Sequence, residues 1–146
     1  TPLYSSAASD VYKRQVSMLD GSGNSAPTLR LGTGGSIDTG NNYAYRYARD
    51  GASSDGTASS QPWVQGQVSP NTSHSNDTYF ISNISGQEKL IIGHGSNSKG
   101  GASIAPRRTE IVAKWSNTAQ ANVIAIANDD SGDFGVGSHI QVFGAD

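Results

Sequence analysis

The sequence contains no cysteine and only one methionine among 146 residues. The absence of cysteine excludes disulfide bonds, thiolate metal sites and cysteine nucleophiles. Long apolar runs are also missing, because the longest hydrophobic stretches, such as residues 123–127, have the length of a single strand, so we expect no membrane span. Helix-forming Glu, Lys, Leu and Met are scarce beside Gly, Ser, Asn and Thr, and this composition predicts an all-β chain.

The first fifteen residues have an unusual origin. Residues 5–15 read Ser-Ser-Ala-Ala-Ser-Asp-Val-Tyr-Lys-Arg-Gln, which is the translation of a transposase-based sequencing adapter, residue for residue. We therefore interpret residues 1–15 as adapter-derived, expect them to be disordered, and exclude them from fold reasoning. The expected domain is residues 16–146, from metagenomic or transcript reads, with its N-terminal part and a first strand or two missing.

Residues 16–146 carry 8 basic and 11 acidic side chains, once Asp10, Lys13 and Arg14 are set aside. A net negative charge disfavours nucleic acid as a partner, because phosphate binding requires a basic surface.

Period-two alternation marks several strands. Residues 42–49 place Tyr43, Tyr45 and Tyr47 on one face, and residues 108–115 place Ile111, Ala113 and Trp115 together. We expect Trp115 to be a core residue. Residues 78–84 are apolar on both faces, which predicts a strand that is covered on both sides.

About eight such short strands, separated by turns rich in Gly, Asn and Ser, predict one antiparallel two-sheet β-sandwich with a jelly-roll-like arrangement. Residues 16–27 are interpreted as a turn-rich leader. Three polar segments are predicted to be long loops, namely residues 50–60, 69–77 and 93–106.

Two C-terminal motifs resemble a group of virion structural proteins of tailed phages and marine viruses. They are Ala105-Pro-Arg-Arg-Thr-Glu-Ile-Val-Ala-Lys-Trp-Ser-Asn-Thr118 and Ser131-Gly-Asp-Phe-Gly-Val-Gly-Ser-His-Ile-Gln-Val-Phe-Gly144. Upstream, residues 40–47 and 81–90 are similar to central strands of the same group. The resemblance implies a jelly-roll sandwich of the tail-fibre, receptor-binding or decoration type, with a role in a particle rather than in a reaction.

Catalytic machinery is not evident in the residue pattern. Serine hydrolase chemistry requires an activated hydroxyl with a base and an orienting acid, and no Gly-x-Ser-x-Gly turn occurs. His74, His94 and His139 lack the spacing of metal ligands, which favours surface histidines. We expect no enzyme activity and no cofactor.

Asp129, Asp130 and Asp133 lie in one turn, and clustered carboxylates of this kind could bind calcium, a hard cation that prefers several oxygen ligands. The alternative is ordinary turn chemistry, in which Asp side chains accept hydrogen bonds from nearby backbone amides.

Aromatic residues offer a candidate ligand site. Trp63, Tyr43, Tyr45 and Tyr79 could stack on the apolar faces of sugar rings. The alternative, which we favour for the stripe of Tyr43, Tyr45 and Tyr47, is that these rings pack in the sandwich core with their hydroxyls at its rim. Trp63, between two polar segments, is the better exposed candidate.

The leading hypothesis is a non-enzymatic phage structural module, a tail-fibre, spike or capsid-decoration subunit in the virion. We expect its partners to be further copies of itself or other virion proteins, with a surface glycan as a candidate host ligand. The alternative is a secreted or cell-surface carbohydrate-binding module with an extracellular location.

Overall fold

The structure is a computed structural model that describes residues 11–22, 24–68, 73–98, 100–129 and 133–145. These residues form twelve β-strands and no helix. The strands are β1 Val11–Ser22, β2 Pro27–Thr33, β3 Ser36–Ile37, β4 Tyr43–Arg49, β5 Gly56–Gln61, β6 Val64–Gln65, β7 His74–Ser82, β8 Lys89–Asn97, β9 Arg107–Trp115, β10 Val123–Asn128, β11 Asp133–Phe134 and β12 His139–Ala145.

The strands divide between a large and a small antiparallel sheet. The large sheet has the order β11-β1-β7-β8-β9-β4-β5, and β12 pairs with β1. The small sheet has the order β10-β2-β3, and β6 also pairs with β2. The two sheets pack against each other, which confirms the predicted all-β two-sheet sandwich. The jelly-roll connectivity stays a prediction.

The core lies between the sheets and draws on both. Leu29 and Leu31 of β2 and Val64 of β6 are fully buried from the small sheet. The large sheet contributes one residue in two from its central strands, among them Tyr79, Ile81, Ile91, Ile111, Ala113 and Trp115. Along β8 and β9 buried and exposed residues alternate, because a strand with one covered face points successive side chains in opposite directions. The predicted core position of Trp115 is confirmed.

Tyr43 joins the two sheets by hydrogen bonds. Its hydroxyl donates to the Leu31 carbonyl at 3.0 Å and accepts from the Leu31 amide at 2.8 Å. On this edge of β2, β6 pairs with Thr28 and Leu29 and β3 pairs with Gly32 and Thr33, so the hydroxyl lies between the two short strands. The ring stacks on Trp115 at 6.3 Å between centroids. One side chain of the large sheet therefore completes the hydrogen bonding of the small sheet.

Three segments differ from the sequence prediction. Residues 16–22 of the predicted leader belong to β1, an interior strand of the large sheet. Residues 56–60 of the first predicted loop belong to β5, and residues 74–77 of the second belong to β7. The prediction of β5 as a loop was wrong because an edge strand is held by backbone pairing with β4 and requires few apolar side chains.

The third predicted loop was too long, because β8 continues to Asn97. Its Gly93 and Gly95 face inward, where a Cβ at Gly93 would collide with the Tyr79 ring and a Cβ at Gly95 with Asp77. Glycine here permits close packing rather than a turn.

Two further predictions also differ from the structure. The strand predicted over residues 78–84 ends at Ser82 and is covered on one face only, since Phe80 is 41% exposed, and Ile84 lies beyond the strand. In the adapter-like segment, residues 1–10 lie outside the described residues. Residues 11–15 form the first part of β1 and pair with β7 and β12, which differs from the expected disorder.

We predict that Tyr43→Phe lowers the free energy of unfolding by about 1 to 3 kcal/mol, because the buried Leu31 amide loses its acceptor. Urea denaturation monitored by fluorescence measures the change. Tyr47→Phe is the matched control, since the Tyr47 ring is only half-buried and lies against Arg49. Equal effects of the two substitutions would contradict the bridging role of Tyr43.

Candidate functional site

The structure separates the four aromatic residues of the candidate ligand site. Tyr43 and Tyr79 are each 1% exposed, so their rings face the core and not solvent. Tyr45 and Tyr47 are half-buried and pack against the same core. These positions favour the core interpretation of the tyrosine stripe.

Trp63 lies apart from the stripe, in the connection between β5 and β6, and is half-buried. The Arg30 guanidinium lies 4.9 Å from the centroid of its ring, and Arg30 Nε donates to the Pro62 carbonyl at 3.1 Å. The guanidinium covers part of the ring, as cations often do on aromatic faces. Of the four candidates, Trp63 and Tyr45 are the ones accessible enough to contact a ligand.

The predicted calcium turn is described only in part. Asp129 and Asp133 are exposed, whereas Asp130 lies outside the described residues. Among the described residues, no group of three or more His, Asp or Glu side chains is placed to hold a metal ion. The calcium site stays a prediction.

The three histidines lie on separate strands and are exposed. His74 opens β7, His94 lies on the outer face of β8, and His139 opens β12. Ser17 Oγ and His74 Nε2 are 2.9 Å apart. The structure does not bring the three imidazoles into one cluster.

A group of polar side chains that the sequence did not indicate lies between the sheets. We call Ser75, Asp77, Tyr79 and Asn97 the buried polar end. Each has an oxygen that is buried without a hydrogen-bond partner among the described residues, namely Ser75 Oγ, Asp77 Oδ2, the Tyr79 hydroxyl and Asn97 Oδ1. Backbone pairing sets Ser75 opposite Asn97, so two strands supply the group.

Asp77 has an unusual environment for a carboxylate. It is 1% exposed, and its one hydrogen bond from a described residue comes from the Gln67 amide to Oδ1 at 3.1 Å. Burial raises the pKa of Asp77 to about 7, and the Gln67 hydrogen bond offsets this only in part. Burial favours the neutral form because that form carries no charge.

Close packing encloses Asp77 and Tyr79. A buried acid that titrates near neutral pH is a common feature of active sites. Here, however, Gly66 and Gly95 bring the backbone directly against Tyr79 and Asp77, and a Cβ at either position would overlap them. Because Asp77 is enclosed and its pKa is raised, we expect its ionisation to act on the stability of the fold.

The sequence contained a weak signal for this group. Buried residues 75, 77, 79 and 81 alternate with exposed or half-buried neighbours, so a strand starting at residue 74 places Asp77 on the face of Ile81. Polar Ser, Asn and Asp at these positions predicted a loop instead, because such residues are depleted in strands.

The outer face of the large sheet has the opposite character. Phe80 of β7, Ile92 of β8 and Val112 of β9 are in direct register across three neighbouring strands. We call these three side chains the apolar row. They are 41%, 43% and 52% exposed. Leu90, two residues before Ile92 on the same face of β8, is 50% exposed. The row is a regular apolar strip that faces solvent.

Two open depressions of about 230 and 290 Å³ border Val112 on this face. The first lies toward His94 and Glu110, and the second toward Leu90 and Lys114. Small-molecule sites are usually deeper clefts of about 300 to 1,000 Å³. The shape of the outer face therefore fits a flat partner better than a small ligand.

Comparison of the chain with family models, with curated proteins and with solved structures finds no match. The part of the chain that the structure describes contains no helix with the length and apolar character that a membrane crossing requires.

We predict that the contribution of Asp77 to stability falls as the pH rises from about 4 to about 7. In this window the folded protein, with its raised pKa, binds more protons at Asp77 than the unfolded chain does, so the free energy of unfolding decreases with pH. Asp77→Asn removes this dependence and stabilises the protein at pH 8 relative to wild type, by an amount on the order of 3 kcal/mol. Urea titrations at each pH measure the difference between the two proteins.

Asp38→Asn is the control of opposite sign. Burial acts to raise the pKa of Asp38, but hydrogen bonds from Trp115, Asn42 and the Gly40 amide together hold it below its ordinary value. Stability from Asp38 is therefore present above the unfolded pKa and is lost as the pH falls. A difference between wild type and Asp77→Asn that does not vary with pH would overturn the assignment of Asp77.

Proposed function

We propose that this protein is a non-enzymatic structural subunit of a virus particle, of the tail-fibre, spike or capsid-decoration type, that acts in assembly or host-surface attachment. The observation that carries the proposal is the apolar row on the outer face of the large sheet. Soluble monomers rarely expose extended apolar patches, and those that do usually bind another surface there. On this proposal the protein acts in the virion through a surface rather than through a reactive pocket.

The location of the resembling motifs supports the proposal. Residues 40–47 overlap β4, residues 81–90 connect β7 to β8, and residues 105–118 contain β9. These strands lie in the large sheet, and β7, β8 and β9 carry the apolar row on its outer face. The jelly-roll connectivity implied by the resemblance belongs to the same proposal.

The chemistry of the described residues also favours a non-enzymatic role. The acid with the most perturbed carboxyl pKa, Asp77, is enclosed between the sheets, and the histidines are exposed on separate strands. A base and an acid that share one accessible site are the usual minimum for hydrolysis.

The genes beside this one on the parent nucleic acid test the proposal. Tail, portal or terminase genes on the same fragment are the expected result. Glycosidase or secretion genes would overturn the virion assignment, and turnover of a polysaccharide by the purified protein would overturn the non-enzymatic role.

A secreted or cell-surface carbohydrate-binding module is the second candidate. The observation that favours it is the half-buried pair of Trp63 and Arg30, in which a guanidinium with hydrogen-bond donors lies over part of a flat ring. Such pairs combine stacking with polar contacts to hydroxyl groups.

If the second candidate is correct, we predict that a glycan array detects binding by the wild-type protein and that Trp63→Ala weakens it about tenfold or more. Trp63→Phe is the matched control, because it keeps a flat ring at the same position and is expected to retain most of the binding. Binding that survives Trp63→Ala would place the glycan elsewhere, and absence of binding would remove this candidate.

A further inference from the structure

The charges around the apolar row have a regular order. Along β9 the exposed side chains are Arg108, Glu110, Val112 and Lys114, with Glu88 paired to Lys114 at 2.8 Å. Arg108 and Glu110 form a second pair at 3.6 Å on the other side of Val112. The order of charges is positive, negative, apolar, positive, negative. At equal distances on the two sides of Val112 the charges therefore have opposite signs.

This order is what a surface needs to bind a copy of itself. A two-fold axis that lies in the contact plane and runs along the apolar row, across the strands, leaves the row opposite its own image. The same axis reverses the direction along β9, because the two sheets face each other with their strands turned end for end. Glu110 then faces Lys114 of the second copy, and Lys114 faces Glu110 of the second copy.

We propose that the outer face of the large sheet binds the same face of a second copy of this chain, in a two-fold contact centred on Phe80, Ile92 and Val112. The inference rests on the proposed role as a structural subunit and names the partner of that role. Two sheets in such a contact pack at about 10 Å, a distance at which side chains of this size interdigitate.

Two arginines near the row fit this pairing. Arg46 continues the row on β4 and is neutralised within its own chain by Asp55 at 3.7 Å. The axis places Arg108, near the start of β9, close to the end of the second copy's sheet that carries Glu88. All four charged side chains beside Val112 are about half exposed or more, between 47% and 66%, so they can exchange partners without unfolding.

A different protein as the occupant would leave the charge order unexplained. A heterologous partner requires charges complementary to its own surface and imposes no relation between the two sides of Val112. Self-pairing requires that relation at both Glu110 and Lys114.

The experiment uses two charge reversals on the full chain, Glu110→Lys and Lys114→Glu. Each reversal sets like charges against each other twice in the symmetric contact, so each variant alone is expected to self-associate about tenfold or more weakly than wild type. An equimolar mixture of the two restores attraction at both positions. Analytical ultracentrifugation of each variant and of the mixture, with one variant fluorescently labelled, measures the association.

The matched control is the mixture of Glu110→Gln with Lys114→Gln, which removes one charge from each chain without reversing it, leaves a single Lys114–Glu110 pair in the mixed contact, and is expected to show a much weaker preference for mixed pairs than the two reversals do. Ile92→Glu, at the centre of the row, is expected to abolish association in every combination. Circular dichroism establishes that each variant is folded.

Preferential association of the two reversed variants supports the inference. Wild-type protein that is monomeric at its highest soluble concentration overturns it, and so does association that Ile92→Glu and the reversals leave unchanged. Either negative result leaves the virion role to be decided by the neighbouring genes, so the two proposals fail separately.

Discussion

The sandwich depends on the contact between Tyr43 and the backbone of Leu31. The two sheets approach closely there. The hydroxyl is the acceptor for the buried Leu31 amide, which lies between the pairings of β3 and β6, and it shares the Leu31 carbonyl with the Asp38 amide, which donates at 2.9 Å. Because an unpaired buried backbone group is costly, the position of β4 relative to β2 is fixed by chemistry as well as by packing. The Trp115 indole, held by Asp38 at 2.7 Å, supports the Tyr43 ring from the neighbouring strand.

The interior is divided between an apolar half and a polar half. Ile81, Ile91 and Ala113 surround the rings of Tyr43 and Trp115, whereas Asp77 and Asn97 lie further along the same strands beside inward glycines. At the other end of β8 the buried Lys89 ammonium donates to the carbonyls of Ile84, Gln87 and Thr118, which anchors the turn before the strand. Burial lowers the pKa of Lys89 and raises that of Asp77. The large sheet therefore contains a buried acid and a buried base at different places, with one backbone hydrogen bond to Asp77 and three from Lys89 among the described residues.

The two faces of the large sheet differ in their surroundings. The inner face is covered by the small sheet and gives the domain its stability. The outer face combines exposed apolar side chains with ion pairs at the surface, and such pairs add little to the stability of a single chain. Their regular placement around Val112 matters more for choosing a partner than for holding the fold.

The sequence by itself determined the all-β class, the sandwich and the core position of Trp115, because strand periodicity and turn composition are local properties. Strand alternation also grouped Tyr43 with Tyr45 and Tyr47 on one face of their strand, and Ile111 with Ala113 and Trp115 on one face of theirs. The tertiary structure alone decided what lies opposite each face. Phe80 and Tyr79 are both aromatic, yet Phe80 faces solvent and Tyr79 is buried. Asp77 has the polarity typical of a loop residue, yet it is also buried. Only the pairing of β7 with β8 and the position of the small sheet decide this. Burial depends on how all the strands assemble, so it cannot be predicted from any single segment of the sequence.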